Sequence, residues 1–401
     1  MSKDLSYVLV TPYTIAKSRT GGVLSRLLSR TDLELVGAQM FAPDETFARE
    51  YARSLRKRSP QNQIMLLADY VEQKIIPSGG RAHRTLLLLF RGENPCDKLL
   101  TICGHIYTQH VEIDALSGET IRDTYADMVC SPDNPDEVRY FEPAVLTPRQ
   151  QDEANQDLLL MANFLEGKGN IVQNITHPDP SVIEQTLVII KPDNWTHNSS
   201  RPGTIIDMFS RTGLRIIGIK IHRFSLAQAM NFYGPVEEVL KEKLAPGYGL
   251  KAKELLEKEF RFTLSANSSR TLTETFGIDC ARDQFAQIVQ FMSGKRPPSV
   301  DSAPFTSGDY SPEELTQPGD VKSMILIYEG ENAIKKIRDV LGPTDPLKAP
   351  EGTVRREFGS SVMVNTAHAS DSTESYNREK DIIKTNENSL GTIIREYLKS
   401  V

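Results

Sequence analysis

Several familiar signatures are missing from this sequence, and each absence removes a class of protein. Only four cysteines occur, Cys96, Cys103, Cys130 and Cys280, and no two form a CxxC pair. That spacing argues against structural zinc and against a disulfide scaffold, and a reducing, cytoplasmic compartment fits it best. No GxxxxGK[ST] is present, which excludes nucleotide binding by a P-loop. The longest strongly apolar run, Leu86 to Phe90, is far short of the ~20 residues of a membrane helix. The opening MSKDLSYVLVTPY has no long apolar segment of the kind a signal peptide carries. Positive charge is not in excess either. The formal net charge is −6, so no global basic field exists for nucleic acid or an anionic membrane. The expectation is a cytoplasmic protein with neither nucleic acid nor membrane as partner.

What is present is an ordinary globular composition, 39% apolar and 25% charged, and an internal repeat. At 401 residues the chain is too long for one core of usual size, which points to two or three domains. SRTDLELVG (29–37) returns as SRTGLRIIG (210–218), an offset of 181, and YVLVTP (7–12) faces LVIIKP (187–192). LLLLFRGEN (86–94) returns as MILIYEGEN (324–332), where the offset has grown to 238; the second copy therefore carries 238 − 181, about 57, extra residues. These fall at about 243–282, charged and polar, and at 295–320, a breaker-rich stretch read as a surface loop. The division expected is a first domain at 1–167, a linker at 168–184 and a second domain at 185–401.

Element order repeats as well. An apolar strand (7–10; 186–190) leads to an amphipathic helix (22–30; 203–212) and a second strand (33–40; 214–221). Helical segments follow (44–58, 63–74; 226–242, 282–292), then a third strand (85–90; 323–328) and a helix opened by GEN (93–101; 331–341). This order predicts an α/β sandwich, one sheet with helices packed on it, in each copy.

The second copy gathers phosphate-binding side chains. Lys191 ends a buried strand, Arg338 and Thr344 flank the turn LGPTDP, Arg355 sits in GTVRREF, and Asn365 precedes His368 by three residues. Arginine gives bidentate contacts to phosphate oxygens and lysine a point charge. Asp371 opens a D-S-T-E capping-box pattern, so a helix should start near Ser372 and turn its positive end toward the loop of His368. Imidazole is a competent nucleophile once a carboxylate fixes its tautomer, and Glu379, about two turns along that helix, is the candidate.

These motifs, Lys191-Pro192-Asp193, RDVLGPTDP (338–346), GTVRREF (352–358) and NTAHASDS (365–372), resemble those of the nucleoside diphosphate kinase family. The resemblance implies two tandem ferredoxin-like domains and transfer of the γ-phosphoryl of a nucleoside triphosphate (ATP) to a diphosphate. The transfer would be ping-pong, through phospho-His368 held by Glu379. It further implies phosphate contacts from Lys191, Arg338, Thr344 and Arg355, and contacts near the sugar from Lys191 and Asn365. Tyr233 would lie near the histidine and Ile288 against the base. Magnesium would ride on the nucleotide phosphates with no protein metal site, in keeping with its reluctance to dehydrate. Two departures stand out. Ala369 replaces a glycine, which is tolerable only at negative φ. Gln284 stands where the family stacks the base on phenylalanine, with Phe285 one place on.

The first copy lacks the chemistry. Thr11 stands for Lys191 and Leu100 for Arg338; only Arg122 matches, and thirteen residues beyond it, where a histidine is due, stands Pro135. Residues 1–167 are thus expected to be non-catalytic and to pack against the second copy in place of another subunit, with a homo-oligomer still open. The alternative to an active kinase is a nucleotide-binding or regulatory scaffold of the same fold with little turnover.

Overall fold

The structure, a computed structural model, describes residues 3–58, 62–106, 118–134, 137–174, 177–297 and 310–401. The first copy supplies strands β1 (Asp4–Val10), β2 (Glu34–Phe41), β3 (Thr85–Gly92), β4 (Asp127–Cys130), β5 (Val138–Glu142) and β6 (Val145–Leu146). The second supplies β7 (Ile183–Ile190), β8 (Arg215–His222), β9 (Ser323–Glu331) and β10 (Ala367–Ala369). Two four-stranded sheets result, ordered β2-β3-β1-β6 and β10-β7-β9-β8. Each places its first strand between its third and fourth, the ferredoxin-like order, with the recorded pairings antiparallel. The α/β sandwich expected from the repeat is therefore the fold.

The described chain falls into two compact units. One comprises 1–221, 324–380 and 384–401, and so holds both sheets apart from the terminal residues of β8 and β9; the other comprises 222–323 and 381–383. In the first unit a single apolar cluster joins residues of both copies, among them Val8, Leu24, Val188, Ile205 and Phe209. The Thr20–Ser29 and Arg201–Ser210 helices, one from each copy, meet there backbone to backbone. A methyl group on Gly21 would lie 2.6 Å from the carbonyl oxygen of Gly203, and one on Gly203 would collide with that of Gly21. Only glycine at both positions permits this reciprocal approach.

The second unit corrects the expected helix bounds. The helix foreseen at 226–242 continues through Pro235 and Pro246 to Phe260, and the 243–282 stretch adds an Ala266–Leu272 helix. The helix foreseen at 282–292 begins earlier, at Ile278, and ends at Ser293. Of the 295–320 stretch read as a loop, 298–309 lie outside the described residues, while Pro312–Thr316 is a short helix capped by Ser311.

Backbone detail repeats along with topology. Asn94 and Asn332 both take positive φ before the helix that follows the third strand, and Gly104 and Gly342 both take positive φ after it. Ala144 (φ 62°) and Thr366 (φ 74°) then precede the short fourth strands. The same unusual backbone positions serve unlike side chains.

Candidate active site

Three β10 residues organise the site. Ala367, His368 and Ala369 pair with Ile190, Ile189 and Val188 of β7, and the Ser370 N–H donates to Leu187 O at 3.1 Å. The chain enters β10 through Thr366 at positive φ, a conformation costing a β-branched residue of order 1–3 kcal/mol. Its surroundings hold it there: Thr366 O accepts from Lys191 N at 2.9 Å and Asn194 Nδ2 at 2.8 Å, and Thr366 Oγ1 accepts from Arg201 at 2.8 Å.

After β10 the backbone turns into the Thr373–Ile383 helix. Its N-cap is Ser372, whose hydroxyl accepts from Ser375 N at 3.1 Å. The helix starts where expected, but Asp371 does not form the capping box. Its carboxylate instead accepts from Ser375 Oγ at 2.6 Å. That bond, with Arg338 and His368 nearby, holds the Asp371 carboxyl below the usual carboxylate range. Glu379, buried on this helix, places Oε1 2.9 Å from His368 Nε2, and its Oε2 accepts from Ser370 Oγ at 2.6 Å. A carboxylate so placed accepts Nε2–H and leaves the imidazole lone pair on Nδ1. Ser370 was not among the expected site residues; its only sequence signal is its place two residues after the histidine.

Lys191 and Arg355 are both buried beside this strand. Lys191 Nζ donates to Asn365 Oδ1 at 2.7 Å, and the Asn365 amide donates to Thr344 O at 3.1 Å and Val362 O at 2.7 Å. Burial first, then the Arg355 guanidinium, push the Lys191 ammonium down to about 7, with Asp193 opposing. Arg355 donates to Gly342 O and Ala367 O, each at 3.0 Å. Arg338 is exposed near the end of the Ala333–Leu341 helix, and the exposed Thr344 lies in the loop that follows. The first unit thus brings together Lys191, Thr344, Arg355, Asn365, His368 and Glu379, with Arg338 near Asp371.

Tyr233 and Ile288 belong to the second unit. Tyr233 is buried on the Leu226–Phe260 helix, its ring 5.0 Å from that of Phe232, and Ile288 is half-buried on the Ile278–Ser293 helix. Phe285 is buried in the same unit, whereas Gln284 is half-buried. Ala369 is not among the residues with positive φ and sits in β10, so its methyl group carries no backbone strain.

The first copy has the same scaffold with other contents. Thr11 N–H donates to Ala144 O at 3.1 Å, as Lys191 N–H does to Thr366 O, and Gly104 N–H donates to Leu100 O as Gly342 N–H does to Arg338 O. Arg122 donates to Gly104 O and to Val145 O, the counterparts of the Arg355 acceptors. Pro135, the place expected for a missing histidine, lies outside the described residues. Strand register assigns the place to Leu146, which pairs with Leu9 as His368 pairs with Ile189. The linear count failed because the β4–β5 hairpin intervenes between Arg122 and β6. Eleven residues past Leu146, as Glu379 is past His368, stands Asp157, fully buried against Tyr7 and Arg58.

No helix among the described residues is long and apolar enough to cross a membrane. Comparison with known proteins places these features in a family. The family model described as nucleoside diphosphate kinase matches residues 184–242 and 314–388. A nucleoside diphosphate kinase of Myxococcus xanthus is 30% identical over 192 residues, 48% of this chain and 83% of that protein. One from Bdellovibrio bacteriovorus is 30% identical over 197 residues, 49% of this chain and 89% of its own length. Among solved structures, the Aquifex aeolicus nucleoside diphosphate kinase is 24% identical with a TM-score of 0.29, covering 50% of this chain and 94% of that one.

Proposed function

The chain belongs to the nucleoside diphosphate kinase family, enzymes that act on nucleotides, and from that premise we propose that it works by ping-pong transfer through His368. The observation that carries the proposal is the 2.9 Å contact between His368 Nε2 and Glu379 Oε1. With Nε2 held by the carboxylate, Nδ1 attacks the γ-phosphorus of a nucleoside triphosphate such as ATP. The bond from phosphorus to the bridging oxygen breaks, its electron pair leaves on the diphosphate, and His368 holds the phosphoryl group. A second diphosphate then attacks that phosphorus, and the N–P electrons return to Nδ1.

Lys191, Arg338, Thr344 and Arg355 hold the phosphates, whose developing charge needs preorganised cations. Asn365, bonded to Lys191 before nucleotide arrives, releases it to the phosphate and turns its amide toward the sugar. Tyr233 and Ile288 keep the roles that the resemblance alone implies for them, beside the histidine and against the base; their helices belong to the second unit. No group of three acidic, histidine or cysteine side chains able to hold a metal occurs among the described residues. Of the carboxylates at the site, Glu379 is engaged by His368 and Ser370 and Asp371 accepts from Ser375 Oγ, so magnesium would arrive on the nucleotide. There it would neutralise phosphate charge.

We read residues 1–167 as a non-catalytic copy standing where another subunit would pack, 168–184 as the linker and 185–401 as the catalytic domain. Support for this comes from the reciprocal Gly21–Gly203 approach and from Leu146 and Thr11 at the places of His368 and Lys191. The scaffold reading rests on Phe285, which is buried and so does not offer a stacking face. Brief incubation with γ-labelled ATP and Mg²⁺ decides between the two. Acid-labile, base-stable label on wild type but not on His368→Ala, discharged by GDP as GTP, is expected. Nucleotide binding without label would leave only the scaffold.

A further inference from the structure

Away from the His368 site, within the first unit, lies a cavity of about 420 Å³ whose lining includes Arg84, Arg215, Tyr328, Thr20, Ser18 and Ser210. It lies between the copies, since Arg84 precedes β3 of the first and Arg215 opens β8 of the second. Two buried polar groups face this cavity. Arg84 is 8% exposed, yet among the described residues its guanidinium has one hydrogen bond, to Ile216 O, and no carboxylate partner. Tyr328 is 1% exposed, and its Oη has no hydrogen-bond partner among the described residues. A buried charge with no directly bonded counter-charge is a costly arrangement in a protein interior.

The charged side chains that line the cavity are of one sign. No acidic side chain lines it, and Arg215, whose guanidinium contacts His177 at 3.5 Å, adds a second cation. Burial first, then Arg215, push the Arg84 guanidinium down to about 10, against the pull of Glu329. Glu329 itself is turned to His177 at 3.4 Å and Gln185 at 2.9 Å.

We infer that this cavity is an oxyanion site of the phosphate class, held between Arg84 of the first copy and Arg215 of the second, with Tyr328 Oη donating to the anion. Guanidinium groups match tetrahedral oxyanions in geometry as well as charge, and the phenol supplies a further donor. The Thr20 and Ser18 side chains leave polar room for what the oxyanion is attached to. An anion here ties the degenerate copy to the catalytic one, so its effect is on the stability of the pair.

The test is thermal unfolding of the full chain at fixed ionic strength, with chloride replaced by inorganic phosphate or by ribose 5-phosphate. Because the His368 site also takes phosphate, Arg338→Ala is measured alongside Arg215→Gln and Tyr328→Phe. At about tenfold excess over Kd the anion should raise the midpoint of wild type and of Arg338→Ala by roughly 2 °C. The rise should vanish in Arg215→Gln and shrink in Tyr328→Phe, which removes one hydroxyl and is expected to fold even if the first variant does not. A larger rise with ribose 5-phosphate assigns the site to a phosphomonoester, and equal rises assign it to free phosphate. No rise with either anion, or a rise lost in Arg338→Ala and kept in Arg215→Gln, overturns the inference.

Discussion

Nucleotide binding should take up a proton, and Lys191 is the group that takes it. Burial and the neighbouring Arg355 push its ammonium from an ordinary 10.5 down to about 7 in the ligand-free protein. At pH 8 about nine in ten molecules therefore carry a neutral lysine. A phosphate oxygen beside Nζ favours the charged form and returns the group toward its ordinary value. Binding at pH 8 should then absorb about 0.9 proton per site, and affinity should weaken about tenfold per pH unit above 7. Calorimetric titration with ADP in buffers of different ionisation enthalpy reads the proton number directly. Lys191→Arg should bind with no uptake, because guanidinium is charged throughout. Uptake near zero in wild type, or the same uptake in Lys191→Arg, would refute the reasoning. The same shift has a stability consequence of fixed sign. Between about 7 and 10.5 the unfolded chain holds a proton that the folded one lacks, so ligand-free stability rises with pH across that window and is least below it.

Other outcomes follow from the same geometry. Glu379→Gln removes the carboxylate that fixes the imidazole; kcat should fall on the order of 10²-fold with KM nearly unchanged, in steady-state assays. Gly203→Val forces apart two helices in backbone contact and should destabilise by about 3 kcal/mol, read from denaturant midpoints. Ala369→Gly should leave activity within about twofold, since Ala369 sits unstrained in β10; a large gain would mean that the methyl group obstructs the site. Leu146→His should acquire no label from γ-labelled ATP, because Asp157 is committed to Arg58 and Tyr7 and no lysine stands at Thr11.

Much of this was legible in the sequence because the repeat supplied each strand twice. β-Branched runs at 186–190 and 214–221 located β7, which begins three residues earlier at Ile183, and β8 to within one residue, and the spacing from Arg338 to His368 anticipated side chains that the fold places around β10. What escaped has physical causes. The helix beginning at Leu226 was expected to end at 242, where the chain turns charged and polar; it instead runs on through Pro246 to Phe260, although a proline inside a helix removes a backbone hydrogen bond. The capping serine at 372 competed with an equally plausible aspartate at 371, and only side-chain geometry separates them. The counterpart of His368 was misplaced to Pro135 because a hairpin changes sequence distance while leaving strand register intact.

That register also changes the meaning of the one site residue the first copy kept. Arg122 matches Arg355 in sequence, which by itself suggests a residual phosphate contact. Both guanidinium groups, however, donate to the same pair of backbone carbonyls: Gly104 and Val145 for Arg122, Gly342 and Ala367 for Arg355. Each ties the positive-φ glycine after a helix to the first residue of the fourth strand. A buried arginine bonded in this way holds the edge of the sheet whether or not a nucleotide arrives, and removing it would leave two buried carbonyls short of a donor. The first copy could therefore lose Lys191, Arg338 and His368 counterparts without cost to its fold, but not this arginine. Retention of Arg122 is explained by structure alone. The same reasoning assigns Arg355 two tasks, and its loss should lower stability as well as phosphate affinity, whereas loss of the exposed Arg338 should lower affinity only.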